Sequence, residues 1–112
     1  MFSKPLVAAS LEPLMLSLLS EGDMYGYQII QRIKTLSDGQ IVWTASKLYP
    51  LLHKLEETGV VTAVWRPSTN GPDRKYYRLT PKGEQALQQH KQEWSAYHTL
   101  LAKLWGPNLA TT

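Results

Sequence analysis

The stretch from Thr44 to Lys82, TASKLYPLLHKLEETGVVTAVWRPSTNGPDRKYYRLTPK, decides the fold, because its hydrophobic period changes partway along. Leu48, Leu51, Leu52 and Leu55 recur at helical spacing and form one buried stripe. Thr44 can cap that helix and Gly59 stops it. From Val60 to Arg66 the pattern becomes that of a strand, with Val61, Ala63 and Trp65 on one face. Pro67 to Asp73 reads as a loop, and Lys75 to Leu79 as a second strand in which Tyr77 and Leu79 face opposite to Tyr76 and Arg78. Thr80 then caps a last helix with Pro81 at its first position. That helix continues to Trp105, where Gly106 and Pro107 end it.

Upstream, Leu11, Leu14, Met15, Leu18 and Leu19 predict a first helix. Glu21-Gly22-Asp23 breaks it, and Asp23 is the expected N-cap of a second helix over Met24–Leu36, with Tyr27, Ile30 and Ile33 inward. Ser37-Asp38-Gly39 closes that helix. Ile41-Val42-Trp43 reads as a brief strand or an extended connector. Three helices, a hairpin and a final helix give an α+β, mostly α, architecture. This is the element order of a winged helix-turn-helix with a two-stranded wing and a long C-terminal helix. The predicted division is a DNA-binding domain over 1–80 and a C-terminal dimerisation helix and tail over 81–112.

Charge follows that division. Between Thr44 and Lys82 seven bases face three acids, a net +4, whereas the rest of the chain has five bases and six acids, a net −1. A basic segment confined to one helix and one hairpin is what a polyanion-binding face requires. At 112 residues the chain is one domain with one core. No apolar run approaches the ~18–20 residues of a membrane span. The stretch from Leu6 to Leu19 is interrupted by Glu12 and Pro13 and has no basic leader, so it is not read as a signal peptide. The lack of cysteine excludes disulfides and thiolate metal sites and fits a cytoplasmic location.

Little points to an enzyme: there is no Ser/His/acid set in a known context and no Gly-rich phosphate loop. His90 and His98 are eight apart on a helix, not the four that places two ligands on one face, so neither a metal nor a cofactor is expected. The competing class is a winged-helix module for protein–protein contact without DNA, which would not need the basic surface.

Three blocks carry a family resemblance. They are Met24-Tyr25-Gly26-Tyr27, then Leu48-Tyr49-Pro50-Leu51-Leu52 with Leu55-Glu56 and Gly59, then Arg74-Lys75-Tyr76-Tyr77-Arg78-Leu79-Thr80 with Gly83. Taken in order and spacing, the chain resembles the PadR family of bacterial transcriptional regulators over nearly its whole length. With its single C-terminal helix it is similar to the short-chain branch, whose members bind DNA as homodimers. Ser46 and Lys47 stand where the family commonly has a small residue and Thr, so an operator sequence does not transfer from relatives. The resemblance implies a homodimeric repressor on a pseudo-palindromic site of double-stranded DNA.

The expected DNA contacts come from two elements. Thr44, Ser46 and Lys47 occupy the first turn of the third helix, the end a recognition helix presents to base edges; Thr44 is equally readable as a cap alone. Tyr49 offers a hydroxyl to a phosphate or packs against the wing, and His53 and Lys54 follow a turn later. In the wing, Arg66, Asn70, Arg74 and Lys75 surround the tip, placed to neutralise phosphates or enter the minor groove. Tyr76, Tyr77, Trp43 and Trp65 read as aromatic braces of the hairpin.

The last helix has a separate pattern. Leu87, Trp94 and Leu101 are seven apart, with His90, Tyr97 and Leu104 at the offset positions, a heptad-like seam. A helix of roughly 25 residues is about 37 Å long, more than so small a core can cover, so a partner helix is expected to cover Leu87, Trp94, Tyr97, Leu101 and Leu104. By resemblance, Trp94 could stack on a small flat aromatic effector at the dimer interface, with Leu11, Tyr97 and His98 as neighbours. The alternative is a Trp packed in that interface.

Overall fold

A computed structural model describes residues 2–106. Its elements in chain order are α1 (Lys4–Ala9), α2 (Leu11–Ser20), β1 (Met24–Tyr25), α3 (Gly26–Leu36), α4 (Ala45–Glu57), β2 (Val61–Ser68), β3 (Gly71–Leu79) and α5 (Pro81–Trp105). The strands form one antiparallel sheet in the order β1-β3-β2. The winged helix-turn-helix architecture is therefore present, with the long C-terminal helix in place. The sheet has three strands rather than the expected two.

The added strand alters the second helix. Met24 pairs with Tyr77 and Tyr25 with Tyr76, so these two residues are extended and α3 begins at Gly26 with Tyr25 as its N-cap. Asp23 is not the cap; its carboxylate takes hydrogen bonds from Arg66 and Arg78 of the hairpin. The Gln28 side chain accepts from the Tyr25 backbone N–H at 3.1 Å, closing the new start. Of the three residues expected inward, Ile33 is buried and Ile30 partly so, but Tyr27 is 64% exposed, its place on the core side being taken by Ile29.

Three other expectations need correction. The N-terminal apolar stretch holds two helices: α1, capped by the Ser3 hydroxyl, precedes the predicted one. The predicted loop from Pro67 to Asp73 is strand almost throughout, since Ser68 pairs with Gly71 and only Thr69 and Asn70 make the turn. A register shift between Arg66 and Ser68 accommodates the prolines, which lack a ladder donor. Trp65 is 63% exposed and does not brace the hairpin on the helices, because β2 has left the core by that point. Of the two readings of Ile41–Trp43, the connector is the one present: Ile41 and Trp43 are buried, and the buried Ser37 hydroxyl accepts the Ile41 N–H at 2.9 Å.

Met15, Leu16 and Leu19 from α2, Ile29 from α3, Leu48, Leu52 and Leu55 from α4, and Tyr77 from β3 meet in one core. α4 closes through backbone N–H bonds from Gly59 to the Glu56 carbonyl and from Val60 to the Leu55 carbonyl. The Thr80 hydroxyl both accepts from the Gly83 N–H at 3.0 Å and donates to the Gly59 carbonyl at 2.6 Å. That single side chain locks the start of α5 onto the end of α4. Gly106 caps α5 at its end; the Pro107 half of the predicted stop, and the tail behind it, lie outside the described residues. No helix among the described residues is long and apolar enough to cross a membrane.

Candidate nucleic-acid interface

α3 and α4 form the helix-turn-helix pair, and their packing determines which face of α4 is free. Leu48, Leu52 and Leu55 are buried, so Lys47, His53 and Lys54 lie exposed on the other side with Thr44 and Ser46 at the first turn. The Thr44 hydroxyl makes no cap bond; it pairs with the Ser46 hydroxyl at 3.0 Å, while its backbone carbonyl accepts the Lys47 and Leu48 N–H groups. Both hydroxyls therefore sit at the amino end of α4, where free N–H groups favour an anion, and Lys47 is exposed in the same turn.

Tyr49 packs on the start of α3. Its hydroxyl end lies over Gly26 so closely that a Cβ there would collide with it, with the ring Cζ 2.9 Å away. Gly26 is thus the residue that lets Tyr49 settle between the two helices. Gly26→Ala should push the partly exposed ring outward and cost up to about 1 kcal/mol, most of it recovered in a Tyr49→Ala background. Thermal melts of the double-mutant cycle would test this, and additive single costs would rule the contact out.

The wing is tied to the body by its basic residues. Lys75 reaches Glu56 of α4 at 3.1 Å, joining wing to recognition helix. Burial works to lower the Lys75 ammonium's pKa, but the hydrogen bond to Glu56 and the neighbouring Tyr77 outweigh it and hold it above its ordinary value. Arg66 pairs with Asp23 and lies over the Tyr76 ring, 4.6 Å from its centroid. Arg74 donates to the Tyr25 hydroxyl at 3.1 Å and lies 4.7 Å from that ring's centroid. Asn70 is exposed in the turn. Of the four wing residues predicted, three have partners within the chain, which sequence spacing alone could not supply.

Asp23, Tyr25, Glu56 and Arg78 are functional candidates that sequence reasoning passed over. The alternation Arg74, Tyr76, Arg78 was the available signal, since residues two apart in a strand share a face. Arg78 donates to both Asp23 oxygens, at 3.0 and 2.8 Å. Its hydrogen bonds hold the Asp23 carboxyl below the ordinary aspartate range against the opposing effect of burial, with the charges of Arg78 and Arg66 adding to them.

On α5, Leu87 is buried in the chain's own core where the helix crosses α2, so it is not free to head a dimer seam. His90 Nε2 lies 2.6 Å from the Glu12 carboxylate and joins the same two helices. Below that point the helix leaves the core. Trp94 and Tyr97 are exposed, Leu101 is half-buried, and Leu104 is 73% exposed. Trp94, Tyr97 and His98 line one groove with Leu6 and Trp105. Leu11 lies apart from them, in a groove between α1 and α4 beside Trp43.

Comparison with known proteins matches this geometry. The profile of the transcriptional regulator PadR-like family matches residues 15–89, from α2 through the first turns of α5. A transcriptional regulator from Clostridium thermocellum superposes with a TM-score of 0.82 at 31% identity, covering 92% of this chain and 97% of that one. Bacillus subtilis PadR in complex with operator DNA superposes with a TM-score of 0.64 at 30% identity, covering 70% of this chain and 44% of that one. The transcriptional regulator YqjI of Escherichia coli is 31% identical over 78 residues, 70% of this chain and 36% of that protein.

Proposed function

Because the chain belongs to the PadR-like family of transcriptional regulators, we propose that it is a homodimeric repressor binding a pseudo-palindromic operator in the cytoplasm, with no catalytic activity of its own. The observation that carries this reading is the coincidence of the +4 segment with the exposed face of α4 and the wing. Thr44, Ser46, Lys47, Tyr49, His53 and Lys54 present the recognition helix, and Arg66, Asn70, Arg74 and Lys75 the wing. Residues 1–80 read DNA; the α5 segment and tail over 81–112 join two subunits so that their recognition helices meet half-sites about one DNA turn apart. A mobility-shift titration over genomic upstream fragments tests it. One fragment should be preferred at about 150 mM salt, with binding that weakens steeply as salt rises. Equal, weak binding to all fragments would instead favour a protein-contact module.

Exposed Trp94, Tyr97 and Leu104 support a dimer through α5, since an apolar face of that size on a small chain calls for a cover. Tyr97→Glu with Leu104→Glu should yield monomers in sedimentation at micromolar concentration. Release from DNA is assigned to a small flat aromatic ligand stacked on Trp94 beside Tyr97 and His98. Titration of planar aromatics should quench tryptophan fluorescence in the wild type but bind at least tenfold more weakly to Trp94→Ala. Equal binding by both proteins would remove Trp94 from the site.

A further inference from the structure

We propose that Asp23 is a specificity-determining positioning residue: it withholds two wing arginines from indiscriminate phosphate binding and fixes the direction in which they point. The proposal rests on the DNA-binding reading above and assigns a residue to that surface which touches no base or phosphate itself.

The outer face of the sheet carries an alternating array of cations and rings. Arg66 of β2 lies over Tyr76 of β3, and Tyr76 meets Tyr25 of β1 edge to face, with centroids 5.2 Å apart and planes at 74°. Tyr25 in turn lies under Arg74. Asp23 anchors one end of this array, bonding Arg66 and, through both oxygens, Arg78. Asp23 is the only carboxylate that bonds an arginine of this face among the described residues. Its side chain is 14% exposed, whereas those of Arg66 and Arg78 are 45% and 51% exposed. The acid is thus covered and the guanidinium edges remain open to solvent.

Two consequences follow from charge and from geometry. Sequence-independent DNA binding depends on the number of phosphates neutralised, and each one changes the slope of log affinity against log salt by about 0.9. A carboxylate held by two guanidiniums subtracts one charge from that count. A guanidinium that is both stacked and ion-paired is also fixed in rotamer, so it loses less freedom when it meets its proper contact. Asp23 thereby weakens binding to any duplex more than binding to the right one. The Arg66–Tyr76–Tyr25–Arg74 stack carries its effect across all three strands.

The test compares wild type, Asp23→Asn and Arg78→Gln on the preferred operator fragment and on a random-sequence duplex across a salt series. Asp23→Asn should bind random duplex roughly fivefold more tightly at about 0.15 M salt, with a slope steeper by about one phosphate. Its operator-to-random ratio should fall by a similar factor. Arg78→Gln should lower the salt slope by about one phosphate, because Asp23 is then left to Arg66 alone and cancels its charge. This second variant keeps the proposal open to refutation even where Asp23→Asn folds poorly. Parallel weakening on both duplexes with an unchanged slope would mean that Asp23 is only a structural brace, and would overturn the proposal. So would an Arg78→Gln slope equal to that of wild type. A wild type that binds random duplex but prefers no operator would overturn the regulator reading alone, with the slope of Asp23→Asn still deciding the role of Asp23.

Discussion

Lys47→Ala combined with Arg74→Ala is expected to weaken operator binding by about 30- to 150-fold at about 150 mM salt, the equivalent of about 2–3 kcal/mol. The two residues belong to different elements, α4 and β3, and both are exposed. Neither replacement opens a cavity. Each removes one cation from the surface proposed to face DNA, so the salt slope should also fall by up to about two phosphates. The two costs should be close to additive, since Lys47 and Arg74 share no partner. Arg74 carries one intramolecular cost as well: its bond to the Tyr25 hydroxyl and its position over that ring, the latter worth about 0.5–1 kcal/mol of wing order. Arg74→Lys separates these contributions, because it keeps the charge and loses the planar stack. Operator affinity unchanged in the double variant would refute the assignment of this face to DNA.

The largest stability effect is expected at Gly83. This glycine is buried in the first turn of α5, and a Cβ there would collide with the Val60 carbonyl oxygen, with Leu79 Cδ1 2.7 Å away. The obstacle is backbone and cannot rotate aside. Lifting α5 would break the Thr80 hydroxyl's two bonds and uncover Leu87. Gly83→Ala should therefore cost about 2–4 kcal/mol, even though alanine is about 1 kcal/mol the better helix former. On a domain of this size that lowers the melting temperature by about 10 °C or more. Gln85→Ala, on the exposed side of the same helix, is the control and should stay within about 0.5 kcal/mol of wild type. A Gly83→Ala protein that melts at or above the wild-type temperature would show that α5 does not sit so close to Val60.

Local periodicity determined much of this protein. The stripe at Leu48, Leu52 and Leu55, the change of period at Val60, the Thr80-Pro81 start and the Gly59 stop are each readable within a few residues, because the forces behind them act over one helical turn or one strand step. The same holds for Lys47, His53 and Lys54, whose exposure follows once the buried stripe is known. What the tertiary structure alone decided concerns pairs distant along the chain. Met24 and Tyr25 carry a helix-like context, yet they become a strand because the edge of β3 at Tyr76 and Tyr77 offers them backbone partners. Asp23 looks like a cap until Arg66 and Arg78, 43 and 55 residues away, take its carboxylate. Pro67 and Pro72 read as loop formers, yet the ladder extends past them through a register shift. Leu87 fits a dimer seam by spacing and is removed from it by the crossing of α5 over α2. Sequence spacing reports which residues share a face, but which surface meets that face depends on contacts that exist only after the chain has closed on itself.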